Sequence, residues 1–198
     1  MPRISAATVA DHRADRHAAL LAAAMEILAA EGAAGLTPAA VGARVGLARS
    51  SVYRYFSSTA DILAQLVEDA IPRWAGRLAS AAATGDDLEG RVRAYGTVTL
   101  SFAAHPDYAL LRALSALDLP PDCRDRLDQL HETMIGPLRD ILAEAGHDDP
   151  GLVAHLGWNV LGEGLRRLAA GPVDPAAVTR TVLEVLVRGM SPGRPSSP

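Results

Sequence analysis

"TPAAVGARVGLARSSVYRYF", Thr37 to Phe56, decides how this chain is read. Threonine followed by Pro38 is an N-cap residue with proline at the first helical position, where a missing N–H costs nothing. A short helix should run from there to Val45. Gly46 can take the positive φ of a tight turn, and a second helix is expected over Leu47 to Phe56, with Val52 and Phe56, four apart, facing inward. Two short helices joined by a glycine-containing turn of three or four residues are the sequence form of a helix-turn-helix. Val41, Val45, Leu47 and Val52 would share its small core, and Gly42 would let the helices approach closely. The outer face of the second helix then carries Arg49, Ser50, Ser51, Tyr53, Arg54 and Tyr55, free to enter a major groove. Arginine reads guanine edges, serine donates or accepts, and tyrosine hydroxyls reach phosphates. A plainer reading makes Tyr53 and Tyr55 surface aromatics packed on a neighbouring domain and the arginines solvated charges. The turn selects the same face as the rings and guanidiniums, which favours the first.

Upstream, a helix over about 14 to 31 places Leu20, Ala24, Ile27 and Leu28 on one face and ends at the Gly32 of "AEGAAG". The net charge of −4 hides a division. Residues 1–60 hold six arginines (3, 13, 16, 44, 49, 54) against Asp11, Asp15, Glu26 and Glu31, a balance of +2, and the other 13 arginines face 19 acids, a balance of −6. Every basic residue is arginine, so each cation is a planar fork able to grip an anion at two points. At 198 residues, 49% hydrophobic and 21% charged, the chain can bury a core in one domain or two. Its start lacks the pattern of a secretory signal, and no window offers 18 uncharged apolar residues, so a cytoplasmic protein without a membrane span is expected. The lone Cys123 excludes an intrachain disulfide.

Residues 17–66, "HAALLAAAMEILAAEGAAGLTPAAVGARVGLARSSVYRYFSSTADILAQL", resemble the DNA-binding domain of the TetR family of bacterial transcriptional regulators. Tyr53 and Phe56 hold the places of that family's aromatic Y-x-x-F signature. The resemblance implies that Thr37 contacts phosphate at the start of helix 2, that Arg49 and Ser51 read bases, and that Tyr53, Arg54 and Tyr55 make mixed base and phosphate contacts. One position departs from the pattern. The family usually opens helix 4 with lysine against the DNA backbone, where this chain has Thr59, which would offer a neutral hydrogen bond without counterion release.

Downstream the pattern stays helical, with candidate helices near 60–82, 87–104, 107–117, 121–145, 150–170 and 174–189, separated by Pro, Gly and Asp signals. The whole is expected to be all-α with about nine helices. We expect an arm over 1–12, a helix-turn-helix domain over 13–59, an effector-binding and dimerisation domain over 60–190 and a disordered tail over 191–198. By the resemblance, the last two helices pair with those of a second copy. Leu152, Leu156, Val160 and Leu161, with Gly157, Gly162 and Gly164 for close approach, fit that role, as do Val178, Val182, Val185, Leu186 and Met190; an intrachain core would use the same stripes. The central helices would enclose an effector pocket, for which Trp74, Tyr95, Phe102, Tyr108, His131, Met134, Trp158 and Asn159 are candidates as large or polar residues, with a mainly apolar ligand. Each could equally be core.

No phosphate loop, two-histidine zinc helix or serine elbow is present, and the six histidines fall singly, so no catalytic residue, metal site or cofactor is expected. The function expected is that of a regulator, by default a repressor, which binds a palindromic DNA operator as a homodimer and is released by a small molecule. The reading from another class is a helical scaffold or adaptor that does not bind DNA.

Overall fold

The computed structural model describes residues 6–115 and 121–191, and these are all-helical, with nine α-helices among the described residues. They divide into two compact units, one up to Asp69 joined by Ala109–Asp125, the other Ala70–Tyr108 with the described residues from Arg126. The division falls inside a helix, ten residues beyond the expected boundary at 59/60, because the first turns of that helix carry core residues of the first unit.

In the first unit, α1 (Ala6–Gly35) is bent at Gly32, which sits at φ 70°. Residues 6–12, expected as part of an arm, are helical instead; alanines at 6, 7 and 10 favour helix and no glycine or proline interrupts them. Residues 1–5 of that arm and 192–198 of the expected tail lie outside the described residues. By length and hydropathy Asp11–Gly35 could cross a membrane, yet Leu20, Ala24 and Ile27 are buried in the unit's own core.

Next come α2 (Pro38–Arg44) and α3 (Arg49–Val52). The helix α3 is shorter than the expected Leu47 to Phe56. At its start, the Leu47 N–H is committed to Gly42 O (2.8 Å), closing the turn, and at its end Arg54 and Tyr55 tighten to i→i+3 bonds on Ser51 and Val52. Helix α4 (Thr59–Ala82) follows, and its Ile62, Leu63 and Leu66 complete a core with Leu28, Leu36, Val41, Val52 and Phe56. Val45 and Leu47, expected in that core, are only half-buried.

The second unit holds α5 (Leu88–Ser101), a 3₁₀ turn (Phe102–Ala104), α8 (Pro150–Ala170) and α9 (Pro175–Gly189), with the later part of α7 (Pro121–Glu144). The remaining helix, α6 (Pro106–Ser115), begins in this unit and ends in the first. Asp87, Asp149 and Asp174 each cap a helix by accepting a backbone N–H. Leu161, Leu186 and Met190 are buried. Gly157 and Gly164 serve packing within the chain, since a Cβ on Gly157 would run into Met190 Cε and one on Gly164 would lie 2.7 Å from Leu100 Cδ2. The reading of these two as surfaces for a second copy is therefore corrected: they let α9 and α5 lie close to α8.

Candidate nucleic-acid interface

The geometry of the turn fixes the face that α3 presents. Thr37 Oγ1 accepts the Ala40 N–H at 3.1 Å and starts α2. Accepting that bond leaves the hydroxyl proton able to donate outward. Gly42 O takes the N–H groups of Val45 and Leu47, and Gly46 turns the chain at φ 69°. A Cβ on Gly42 would lie 2.7 Å from both Leu47 O and Val52 Cγ2. Only glycine lets the two helices meet there.

On the outer face, Arg49, Ser50, Tyr53 and Arg54 are exposed. Arg49 Nη2 donates to Tyr53 Oη at 2.9 Å, and its guanidinium lies 5.4 Å from the ring centroid. Tyr53, at 44% exposed, is a large ring left in solvent with a hydroxyl proton still to give. Such a face offers guanidinium, phenol and serine donors to an acceptor-rich surface.

Ser51 and Tyr55 are half-buried. Tyr55 stacks toward His17, with centroids 6.3 Å apart, and His17 stacks on Phe56 at 5.4 Å. His17 is a residue that sequence reasoning missed. Its Nε2 meets Gln65 Oε1 at 2.6 Å, Gln65 Nε2 donates to Asp61 Oδ1 at 2.9 Å, and Asp61 Oδ2 accepts the Ser57 N–H at 2.7 Å. This chain of bonds ties α1 to α4 beneath the segment that follows α3. The one hint in the sequence was its position three residues before the buried Leu20, on the inward side of α1.

One other position differs from expectation, and one arginine is engaged within the unit. Thr59 is half-buried and donates its hydroxyl to Leu36 O at 3.2 Å, so the hydroxyl proposed for phosphate is spent inside the unit. Arg44 reaches Glu26 and Glu31 on α1, at 3.2 and 3.4 Å, which offsets one of the six N-terminal arginines.

Of the residues expected to line an effector pocket, most are packed. Trp74 donates Nε1–H to the buried Asp107 at 3.2 Å and meets Phe102 edge-on at 4.1 Å, and Phe102 meets Tyr108 at 5.7 Å. Tyr95 is fully buried, donates its hydroxyl to Met134 O at 2.8 Å, and has its phenol pushed far above the ordinary range by burial. His131 packs edge-on to Trp158 at 5.1 Å, and burial pushes its imidazole down. Asn159 is corrected outright: it is exposed, with its amide donating to His155 O. It falls on the outward stripe of α8, four residues beyond His155. That stripe also leaves Leu152 and Leu156 each 57% exposed, and Val185 on α9 is 52% exposed.

Residues 20–66 match the family model described as bacterial regulatory proteins, tetR family. Among solved structures, FadR from Bacillus subtilis, determined with stearoyl-CoA, is 20% identical, with a TM-score of 0.70 over 87% of this chain and 98% of that one. A TetR-family transcriptional regulator from Streptomyces coelicolor is 21% identical, with a TM-score of 0.68 over 89% and 94%. A TetR/AcrR-family regulator from Thermobifida fusca is 19% identical, with a TM-score of 0.66 over 88% and 98%. No curated protein matches in sequence. At such identities the likeness establishes fold, and the family model establishes the domain that presents α3. Residues 20–66 are a TetR-family helix-turn-helix domain, carried on a chain whose fold is that of TetR-family regulators.

Proposed function

We propose that the protein is a ligand-responsive transcriptional regulator, a repressor by default, which binds a palindromic operator as a homodimer. The observation that carries this reading is the outward Arg49–Tyr53 pair on a helix seated by Gly42 and Gly46 within the matched domain. Arg49 and Ser51 read bases in the major groove, Ser50, Tyr53, Arg54 and Tyr55 make mixed contacts, and Thr37 donates to phosphate. At Thr59 the hydroxyl is engaged with Leu36, so any contact there comes from its backbone.

The dimer forms through α8 and α9, supported by the exposure of Leu152, Leu156 and Val185. Isolated monomers rarely leave several large aliphatic side chains this bare on adjoining helices. A twofold axis then sets two α3 helices about one DNA turn apart, roughly 34–36 Å, or at a longer spacing. A small, largely apolar effector bound in the second unit favours a conformer that no longer fits the operator, and it weakens DNA binding only as far as it prefers that conformer.

Selection of genomic fragments on the full-length protein tests this directly. Arg49→Ala is expected to weaken the selected operator by about 1–3 kcal/mol and relax sequence preference at one position, with thermal stability unchanged. If no fragment binds at low salt, or Arg49→Ala binds the selected fragment like the native protein, the regulator reading fails.

A further inference from the structure

An open groove of about 930 Å³ runs between α4 and α5, wholly within the second unit. Its size lies within the range of small-molecule sites. Three arginines line it, Arg73 and Arg77 one turn apart on α4 and Arg93 on α5, and no acid does. The chain beyond residue 60 has a surplus of acids, so a lining charged only with arginine stands apart from its surroundings.

The floor is made by small or apolar residues, among them Gly76, Ala81, Ala94 and Val98. A Cβ added to Gly76 would meet nothing within 4 Å, so the groove is open at that point. Three hydroxyls also line the groove, and each is turned to its own helix: Ser80 donates to Gly76 O at 2.9 Å, Thr84 to Ala81 O at 2.7 Å and Thr97 to Arg93 O at 2.8 Å. Hydroxyl protons are thus spent on backbone, and the side-chain donors left to meet a ligand are guanidinium N–H groups. Arg73 lies 4.0 Å from Asp107, Arg93 pairs with Glu89 on the exposed surface at 2.7 Å, and Arg77 lies over the Trp74 ring at 4.4 Å. A five-donor guanidinium can serve more than one acceptor at once.

We infer that this groove binds an alkyl-chain anion, with the chain along the floor of small residues and the carboxylate or phosphate head held by Arg77, Arg73 and Arg93. A cationic head would meet a lining whose charged residues are all arginine, which sets the selectivity. The inference rests on the effector reading above for its regulatory meaning only; binding itself is independent of DNA.

Calorimetric titration of the full-length protein without DNA, using laurate, dodecyl phosphate and dodecyltrimethylammonium below their micellar concentrations, tests it. Both anions are expected to bind at least about tenfold more tightly than the cation, since charge-assisted hydrogen bonds are of that order. Arg77→Gln and Arg93→Gln should each lower anion affinity about tenfold while leaving thermal stability unchanged. Gly76→Phe should block the chain on the floor and abolish binding of both anions. Whichever of laurate and dodecyl phosphate binds more tightly identifies the head group. Trp74 fluorescence should change on binding, because Arg77 shifts over its ring. Equal affinity for anion and cation, or arginine variants indistinguishable from the native protein, would overturn the site, as would no binding at all. If the anions bind but leave the operator complex intact, the site stands and the effector reading falls.

Discussion

The α3 face and the α8 face are both left uncovered, but they are uncovered in opposite chemical senses. On α3 the exposed groups are guanidinium, phenol and serine, and two of them already bond to each other. On α8 the stripe begins with two bare leucines, with polar groups such as His155 and Asn159 between and after them. A polar face can stand in water indefinitely and gains from a partner only where that partner matches its donors. A bare leucine gains from any dry surface that fits it. On the proposed reading, the difference separates a surface suited to specificity from one suited to affinity.

The comparison breaks most readily on the α8 side. Leu156→Ala is expected to weaken self-association by about 2 kcal/mol per copy, doubled across a twofold interface, because burial contributes about 0.8 kcal/mol per methylene. Sedimentation velocity over a dilution series would show it, and an unchanged dissociation constant would place the interface elsewhere. On the α3 side the sensitive point is beneath the face. Gly42→Leu should cost about 3 kcal/mol, the upper end of overpacking, and should abolish operator binding with the dimer intact. Native-like melting of that variant would show that α2 and α3 have room to separate.

A smaller effect distinguishes structure from contact at the junction of α3 and α4. Thr59→Val removes the bond to Leu36 O and should lower stability by about 1 kcal/mol, while the dependence of operator binding on salt keeps its slope. A reduced slope would return Thr59 to the phosphate surface.

The smallest effect lies on the α8 face. His155 Nδ1 lies 2.9 Å from Gly151 O and Nε2 2.9 Å from Glu132 Oε1, two acceptors that only the protonated ring can satisfy together, which raises its pKa. Its contribution to stability is therefore fully present below the ordinary imidazole value of about 6.5 and is lost as pH rises through the raised value. His131 runs the other way: burial lowers its pKa, so its contribution is present above the ordinary value and lost as pH falls through the lowered one. In melts from pH 5 to pH 8, His155→Gln should flatten the loss on the alkaline side and His131→Gln the loss on the acid side. Superimposable curves for His155→Gln and the native protein would show that solvent screens the Glu132 pairing completely.

Helix order and most boundaries were legible because punctuation carried them. Pro38, Pro150 and Pro175 each follow a side chain that caps the helix, and such caps are local events that need no knowledge of the fold. The helix-turn-helix was legible for the same reason, as its glycines and buried valines fall within one short segment. What could not be read depends on partners distant in sequence. His17 gains its place from Gln65, and Thr59 loses its outward hydroxyl to Leu36. Gly157 and Gly164 look alike as candidates for any close approach, and only packing against Met190 and Leu100 decides which approach they serve. The α4–α5 groove was invisible because it is made by what small residues leave out, and periodicity registers only what is present.

The bond from Arg49 to Tyr53 bears on when ordering takes place. A free arginine gives up about 2 kcal/mol of rotamer freedom when it is held in a single geometry. Here part of that loss is incurred on folding, before any duplex is met. Removing the phenol oxygen from Tyr53 would leave every Arg49 donor in place but forfeit both this ordering and the hydroxyl's own proposed contact, so calorimetry should register an entropic loss beside the enthalpic one.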